Sequence, residues 1–351
     1  MRPSGRACFS GNGYVYATRA EEIAKEQGIK RIARLASNEN PFPPSPKALQ
    51  CAEKALQEVN RYPPEVHRTL VKAFAERFGY PSVVLGNGMD GVIETVLRTL
   101  IDPGDRVVIA QPTFSFYGVA ATAQSASVVS VPRRSDFSVD IPAFIRACQD
   151  AKLAFLCTPN NPTGTFTPLE EVREILDATD TLLFLDNAYI EFAAADYLGL
   201  MQENDHLIIG RTMSKAYSLA GLRLGYAFVP AWFETSYLRA STPFAVNRVT
   251  AAAAEGALSD QSHVTRIVTH VRHWRRRFLE ECGNRAYPSE ANFILIDVAP
   301  LKGDEVMERL AVRGIMVRSC ASFPGLGDHF IRVSVGEAWE NELFLREIAV
   351  L

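Results

Sequence analysis

From about residue 66 to residue 230, short runs of consecutive apolar residues alternate with stretches whose apolar positions recur every three to four residues. Runs of the first kind read as strands buried on both faces, and stretches of the second kind as helices with one face on a core. Strands are predicted over Val107 to Ala110, Val128 to Val131, Leu153 to Cys157, Leu182 to Asp186, Leu207 to Gly210 and Leu224 to Val229, with helices in the gaps. Strand and helix in alternation predict an α/β fold with a mainly parallel central sheet flanked by helices. One helix start is predicted at Thr167-Pro168-Leu169-Glu170, where a Thr cap, a Pro in the first turn and a Glu three residues on form a capping box. Later in the chain the rhythm changes. One long helix is predicted over 247 to 282, after which strands at Phe293 to Val298 and Phe330 to Val335 alternate with helices over 302 to 313 and 337 to 349. This predicts a smaller α+β domain over 246–351, following a large domain over 37–245 and an N-terminal arm over 1–36. The segment Asn40-Pro41-Phe42-Pro43-Pro44-Ser45-Pro46 holds too much proline to be helical throughout and reads as an extended joint between arm and large domain.

A length of 351 residues supports that division, since it exceeds one ordinary core. A formal net charge of -3 gives no electrostatic reason to expect nucleic acid or an anionic membrane as a partner, which leaves a small molecule as the expected ligand. The six cysteines are scattered, without a Cys-x-x-Cys pair, and read as reduced thiols of a cytoplasmic protein with no metal centre. No apolar run approaches the ~20 residues of a membrane helix. The run His270-Val271-Arg272-His273-Trp274-Arg275-Arg276-Arg277 reads as the solvated face of a long helix. Gly-x-Ser-x-Gly is absent, so a triad hydrolase is not supported.

Candidate chemistry gathers around Lys215, in Arg211-Thr212-Met213-Ser214-Lys215-Ala216, and Arg223, eight residues on in Gly221-Leu222-Arg223-Leu224-Gly225. A lysine can form a Schiff base with a carbonyl and an arginine fork suits a phosphate, so the pair can hold both ends of pyridoxal 5′-phosphate. Gly86-Asn87-Gly88-Met89-Asp90-Gly91 matches G-x-G-x-x-G between an apolar run and a helical pattern. It reads as a dinucleotide loop, a plain turn, or a cradle of backbone N–H groups for any phosphate, and Lys215 with Arg223 favours the last. Asn161, after the strand ending at Cys157, is either part of an Asn-Pro turn or a donor to the cofactor's phenolic oxygen. Asp186, at the end of another strand, is either a helix cap or the partner of the pyridine nitrogen, with Tyr189 three residues on. Phe114, past the strand at 107 to 110, either stacks on the cofactor ring or packs in the core.

With these motifs in place the chain resembles the fold-type I, class II pyridoxal-phosphate aminotransferases, and among them the histidinol-phosphate aminotransferases. The resemblance is carried by Ser37-Asn38-Glu39-Asn40-Pro41, Arg61-Tyr62-Pro63, Asn161-Pro162-Thr163-Gly164, Asp186-x-x-Tyr189, Ser214-Lys215, Arg223 and Ile331-Arg332-Val333, in the family's order and over nearly the whole chain. It implies Lys215 as the Schiff-base lysine, with Asp186 and Tyr189 beside it. Thr212, Ser214, Arg223 and the Gly88-Met89-Asp90 turn would serve the cofactor, with Tyr62 reaching the phosphate in the neighbouring subunit of a homodimer. Arg332 would take a substrate carboxylate, while Arg318, Tyr14 and Asn38 would contact substrate. Two positions depart from the family pattern, Asn187 and Gly91, where it often has Glu. The activity implied is transamination between histidinol phosphate and 2-oxoglutarate, with Lys215 as proton carrier at a pKa depressed by the cationic imine, Arg223 and partial burial. Threonine-phosphate decarboxylation, aromatic amino-acid transamination and cofactor binding without turnover are the alternatives. For Arg318 a structural salt bridge is the competing role.

Overall fold

The computed structural model describes residues 5–6, 9, 19–64 and 67–351. Its first elements are α1 (Arg19–Glu26), β1 (Ala33–Arg34), α2 (Pro46–Leu56) and α3 (Arg68–Phe78). There follow β2 (Val83–Asn87), α4 (Gly88–Leu100), β3 (Arg106–Gln111), α5 (Phe116–Ala123), β4 (Ser127–Pro132), α6 (Ile141–Cys148), β5 (Leu153–Cys157), α7 (Leu169–Ala178), β6 (Leu182–Asp186), β7 (Leu207–Thr212) and β8 (Leu224–Phe228). The chain continues through α8 (Ala231–Ala240), α9 (Arg248–Leu258), α10 (Gln261–Cys282), β9 (Phe293–Asp297), α11 (Gly303–Ala311), β10 (Ile315–Met316), β11 (Arg318–Ser319), β12 (Phe330–Ser334) and α12 (Ala338–Ile348).

Seven strands form the central sheet in the order β2-β8-β7-β6-β5-β3-β4. All neighbours are parallel except β8, which runs against both β2 and β7. Every residue of β5, β6, β7 and β8 is buried, which is why these strands read as largely unbroken apolar runs. Successive side chains point to opposite faces: Leu183 and Leu185 join one apolar cluster, Leu182 and Phe184 the other. Each such side chain contributes roughly 2 kcal/mol by area removed from water.

A second sheet, β11-β12-β9, is antiparallel and sets Arg318 opposite Arg332. The chain before residue 40 is tied to this region. β1 pairs with β10, and Leu35 and Ser334 are joined by a 2.9 Å backbone hydrogen bond. These pairings bring residues 36–40 alongside the end of β12, facing the central sheet's loops.

Three local expectations give way to tertiary packing. The helix predicted over 247 to 282 is two helices, α9 and α10, broken at Ser259 and Asp260. Ser259 turns its hydroxyl back to the Gly256 carbonyl at 2.8 Å, and Gly256 itself faces the backbone of Lys47 and Ala48 with no room for a Cβ. Thr167 does not cap α7. Its hydroxyl is buried without a partner among the described residues, its N–H donates to Thr158 Oγ1 at 2.9 Å, and its carbonyl accepts the Tyr197 hydroxyl. The capping box lies instead at Glu337 and Glu340 of α12. The basic run of α10 is only partly solvated, because the helical repeat turns Val271, Trp274 and Arg275 onto the core. Arg272 and Arg275 there donate to the carbonyls of Ala193 and Ala291.

Candidate active site

The like-oriented strands β2, β3, β5, β6 and β7 end at one edge of the sheet, where a cavity of about 410 Å³ opens. In an open parallel sheet the carboxyl ends of the strands are where a ligand crevice forms. Met89 and Asp90 reach it from the first turn of α4, Phe114 from the loop after β3, and Asn161 from the loop after β5. Asp186 and Tyr189 come from the end of β6, and Thr212, Ser214 and Lys215 from the end of β7. Because β8 runs the other way, its start lies at the same edge and delivers Arg223. Arg318 and Arg332 line the cavity from the second sheet, and Asn38 from the segment before the proline-rich joint. Tyr62 does not line it; its ring is 79 % exposed and stacks on Phe244 at 4.7 Å. Tyr14 lies outside the described residues.

At one end of the cavity Asp186 is buried and held from two sides. The Tyr117 hydroxyl donates to Oδ2 at 2.5 Å and the Ala188 N–H to Oδ1 at 3.0 Å. Burial pushes this carboxyl up to about 6, against the pull of those two donors. Tyr117 stacks flat on Phe155 at 4.8 Å and meets the Phe114 ring edge-on at 5.5 Å, so one side chain steadies both Asp186 and Phe114. Sequence reading missed Tyr117. The available signal was its position one helical turn past Phe114 at a strand end. Asn187, where the chain departs from the family pattern, turns away from the cavity, donating to the Thr158 carbonyl at 2.8 Å.

In the middle, Tyr189, Asn161, Arg332 and Lys215 converge. Asn38 Nδ2 donates to the Tyr189 hydroxyl at 3.0 Å, and Arg332 donates to Asn161 Oδ1 at 2.5 Å and to the Ala36 carbonyl at 2.7 Å. Lys215 Nζ lies 5.7 Å from the centre of the Tyr189 ring. Burial lowers the Lys215 ammonium to about 8. Arg332 is the largest electrostatic cause, ahead of Arg223, while Glu39 and Asp90 pull the other way. The expected downward direction holds, with Arg332 as the neighbour that sequence reading did not name.

At the far end, Asn87 gives the first turn of α4 no side-chain cap, so N–H groups there are left for another acceptor. Gly88, with φ of 71°, packs directly against the Arg223 guanidinium, and a Cβ at that position would collide with it. Arg223 Nη2 bonds Asp90 at 2.6 Å, and Thr212 and Ser214 share a hydroxyl contact of 2.9 Å. A carboxylate at one end, an uncapped helix start with an arginine and two hydroxyls at the other, and a buried amine between them form a donor set that fits a phosphorylated pyridine aldehyde.

The family profile described as aminotransferase class I and II matches residues 30–348. The chain belongs to the class I and II aminotransferase family. Among aminotransferase relatives it is 60% identical over 349 residues to the histidinol-phosphate aminotransferase of Methanoculleus marisnigri, covering 99% of each chain. To the enzyme of that name from Methanocorpusculum labreanum it is 54% identical over 352 residues, covering 100% of each. Its fold is similar to that of histidinol-phosphate aminotransferase from Sinorhizobium meliloti, a crystal structure in complex with pyridoxal-5′-phosphate. There the TM-score is 0.87 at 26% identity, over 99% of this chain and 96% of that one. The fold is therefore that of the fold-type I aminotransferases, as the motifs imply.

Among the described residues no group of three or more His, Cys, Asp or Glu is placed to hold a metal ion, and no helix is long and apolar enough to cross a membrane.

Proposed function

We propose that this aminotransferase moves the amino group of L-histidinol phosphate to 2-oxoglutarate, giving imidazole-acetol phosphate and glutamate in histidine biosynthesis. The reading is carried by one observation: a buried lysine amine, lowered to about 8, in a cavity with an arginine-rich wall and a doubly held carboxylate. Pyridoxal 5′-phosphate is the cofactor; when bound, it supplies a carbonyl that condenses with amines and a protonated ring that draws electrons from the bonds at the amine carbon.

The chain's own residues then divide the work. Lys215 would hold the cofactor, and its Nζ, with a pKa near neutrality, would take the proton from the substrate's α-carbon and return it. Asp186, kept in place by Tyr117, would face the ring nitrogen, and Asn161 and Tyr189 the ring oxygen. Phe114 would lie on the ring face. Gly88, Met89, Asp90, Thr212, Ser214 and Arg223 would take the cofactor phosphate. Arg332, anchored by Asn161 and Ala36, would seat the carboxylate of 2-oxoglutarate, and Arg318 across from it the phosphate of histidinol phosphate. Asn38, which donates to the Tyr189 hydroxyl, and Tyr14 would contact substrate.

The same proposal takes the protein as a cytoplasmic homodimer with shared sites. Exposed Tyr62, stacked on Phe244 near exposed Val59 and Leu56, supports an apolar contact there through which Tyr62 reaches the partner's cofactor phosphate. The division into an arm over 1–36, a large domain over 37–245 and a small domain over 246–351 belongs to this reading, supported by the separation of the seven-stranded sheet from the three-stranded one.

Purified protein is to be given histidinol phosphate or an aromatic amino acid with 2-oxoglutarate, and threonine phosphate alone. Glutamate in the first reaction is the expected result. Carbon dioxide from the second overturns the proposal in favour of a decarboxylase, and turnover of aromatic amino acids alone overturns it in favour of an aromatic aminotransferase.

A further inference from the structure

Three carboxylates line the cavity, and two are committed. Asp90 is bonded to Arg223 at 2.6 Å, and Asp186 to Tyr117 and Ala188. The third is Glu39, whose carboxylate makes no hydrogen bond or ion pair among the described residues. Its backbone is nevertheless fixed from both sides. Asn38 is buried, donating to Ser334 Oγ at 2.9 Å and to Tyr189, and its carbonyl accepts from Asn292 at 3.1 Å. Asn40 donates to the Lys215 carbonyl at 2.9 Å and accepts from the Phe42 N–H at 3.0 Å. Glu39 is thus a side chain held between two residues that are themselves tied to Tyr189 and Lys215. It also lines an adjoining cavity of about 400 Å³ and so stands at the junction of the two.

The other charged groups on this wall, Lys215, Arg318 and Arg332, are cations suited to phosphate and carboxylate. A free carboxylate among them has use for a part of the substrate that donates hydrogen bonds or carries positive charge. In histidinol phosphate, besides the reacting amine, that part is the imidazole ring, which titrates near pH 6.5 and always offers an N–H.

We infer that Glu39 is a specificity-determining residue that accepts a hydrogen bond from the substrate's imidazole N–H. It thereby selects amino-alkyl phosphates with a heteroaromatic N–H donor over those with a plain phenyl ring. This inference rests on the proposed function. A site built to pair with a donor disfavours an analogue that lacks it, because the carboxylate is then stripped of water without replacement.

The test compares the holoenzyme with its Glu39→Gln and Glu39→Asp variants, cofactor loading being checked by absorbance. Each is assayed on histidinol phosphate and on the phosphate ester of phenylalaninol, from about pH 6 to about pH 8.5. In Glu39→Gln the preference for imidazole over phenyl in kcat/KM is expected to fall roughly tenfold, through KM and most steeply at the acid end. Glu39→Asp, which keeps the charge, is expected to regain part of it. An equal loss on both substrates, or a displaced pH profile with the preference intact, overturns the inference, since Glu39 would then act only on Lys215. Failure of the unaltered protein to aminate 2-oxoglutarate from histidinol phosphate removes the proposed function and this inference together. Turnover with an unaltered preference removes the inference alone.

Discussion

Asp186 and Glu191 stand on opposite sides of the turn that carries Tyr189, and their carboxylates are both shut off from solvent. Asp186 faces the cavity and accepts from Tyr117 and Ala188. Glu191 faces the other way, toward buried Arg211, and neither of its oxygens has a hydrogen-bond partner among the described residues. Burial raises both, Asp186 to about 6 and Glu191 to about 7. Burial alone therefore does not distinguish the two carboxylates. Hydrogen-bond donors aimed at Asp186 hold part of its charge in place and leave it directed at the cavity, whereas Glu191 has the attraction of Arg211 and a weaker pull from its own backbone N–H.

The largest expected effect is on the cavity side. Asp186→Asn keeps the shape and the Ala188 contact but removes the charge, and kcat/KM for transamination is expected to fall by about a thousandfold or more with the fold preserved. Activity within tenfold of the unaltered protein would break the contrast. On the other side, Glu191→Gln should leave turnover intact and raise stability. The sign follows from linkage. A carboxyl raised in the folded chain from its ordinary 4.5 to about 7 carries a penalty that is complete above about pH 7 and gone below about pH 4.5. Urea denaturation should therefore show the variant more stable by up to about 3 kcal/mol at pH 8, with the gain vanishing as the pH is lowered toward 4.5. A gain equal at both ends would show that burial leaves the Glu191 carboxyl at its ordinary value.

Lys215 supplies a third test. Its neutral amine is the form that reacts with a carbonyl, so the rate at which cofactor-free protein takes up pyridoxal 5′-phosphate, followed by absorbance, should rise through about pH 8. Between pH 7 and pH 9 the increase should be roughly tenfold, and a rise centred near 10.5 would mean the ammonium is not desolvated. The smallest effect belongs to Tyr117→Phe. It keeps the stack on Phe155 while removing the donor to Asp186, and should lower kcat by about fivefold and displace the pH dependence of the bound cofactor's spectrum. A fall in activity without the spectral change would point to lost packing instead.

The central sheet was legible because its strands are buried on both faces, so that β5 and β6 stand out as the runs Leu153–Cys157 and Leu182–Asp186 with their ends where predicted. Lys215, Asp186, Asn161 and Arg223 were legible for a related reason: each follows or precedes such a run, and residues at strand ends share one edge of the sheet. The helix break at Ser259 was not, because α9 turns where Gly256 meets α2, a contact with residues some two hundred positions earlier. Nor was the uncapped start of α7, where Thr167 is spent on Thr158 and Tyr197.

The order of residues by itself determined which segments become strands, which face of each helix is apolar, and which chemical groups sit at the strand ends, because each depends on a period of two to four positions. Only the tertiary structure decided that Tyr117 holds Asp186 across 69 positions, that Arg332 grips Asn161 across 171, and that Glu39 is left uncommitted between Tyr189 and Lys215. A hydrogen-bond partner so distant is chosen by how the sheets and the segment before the joint pack together, and no local pattern records that choice.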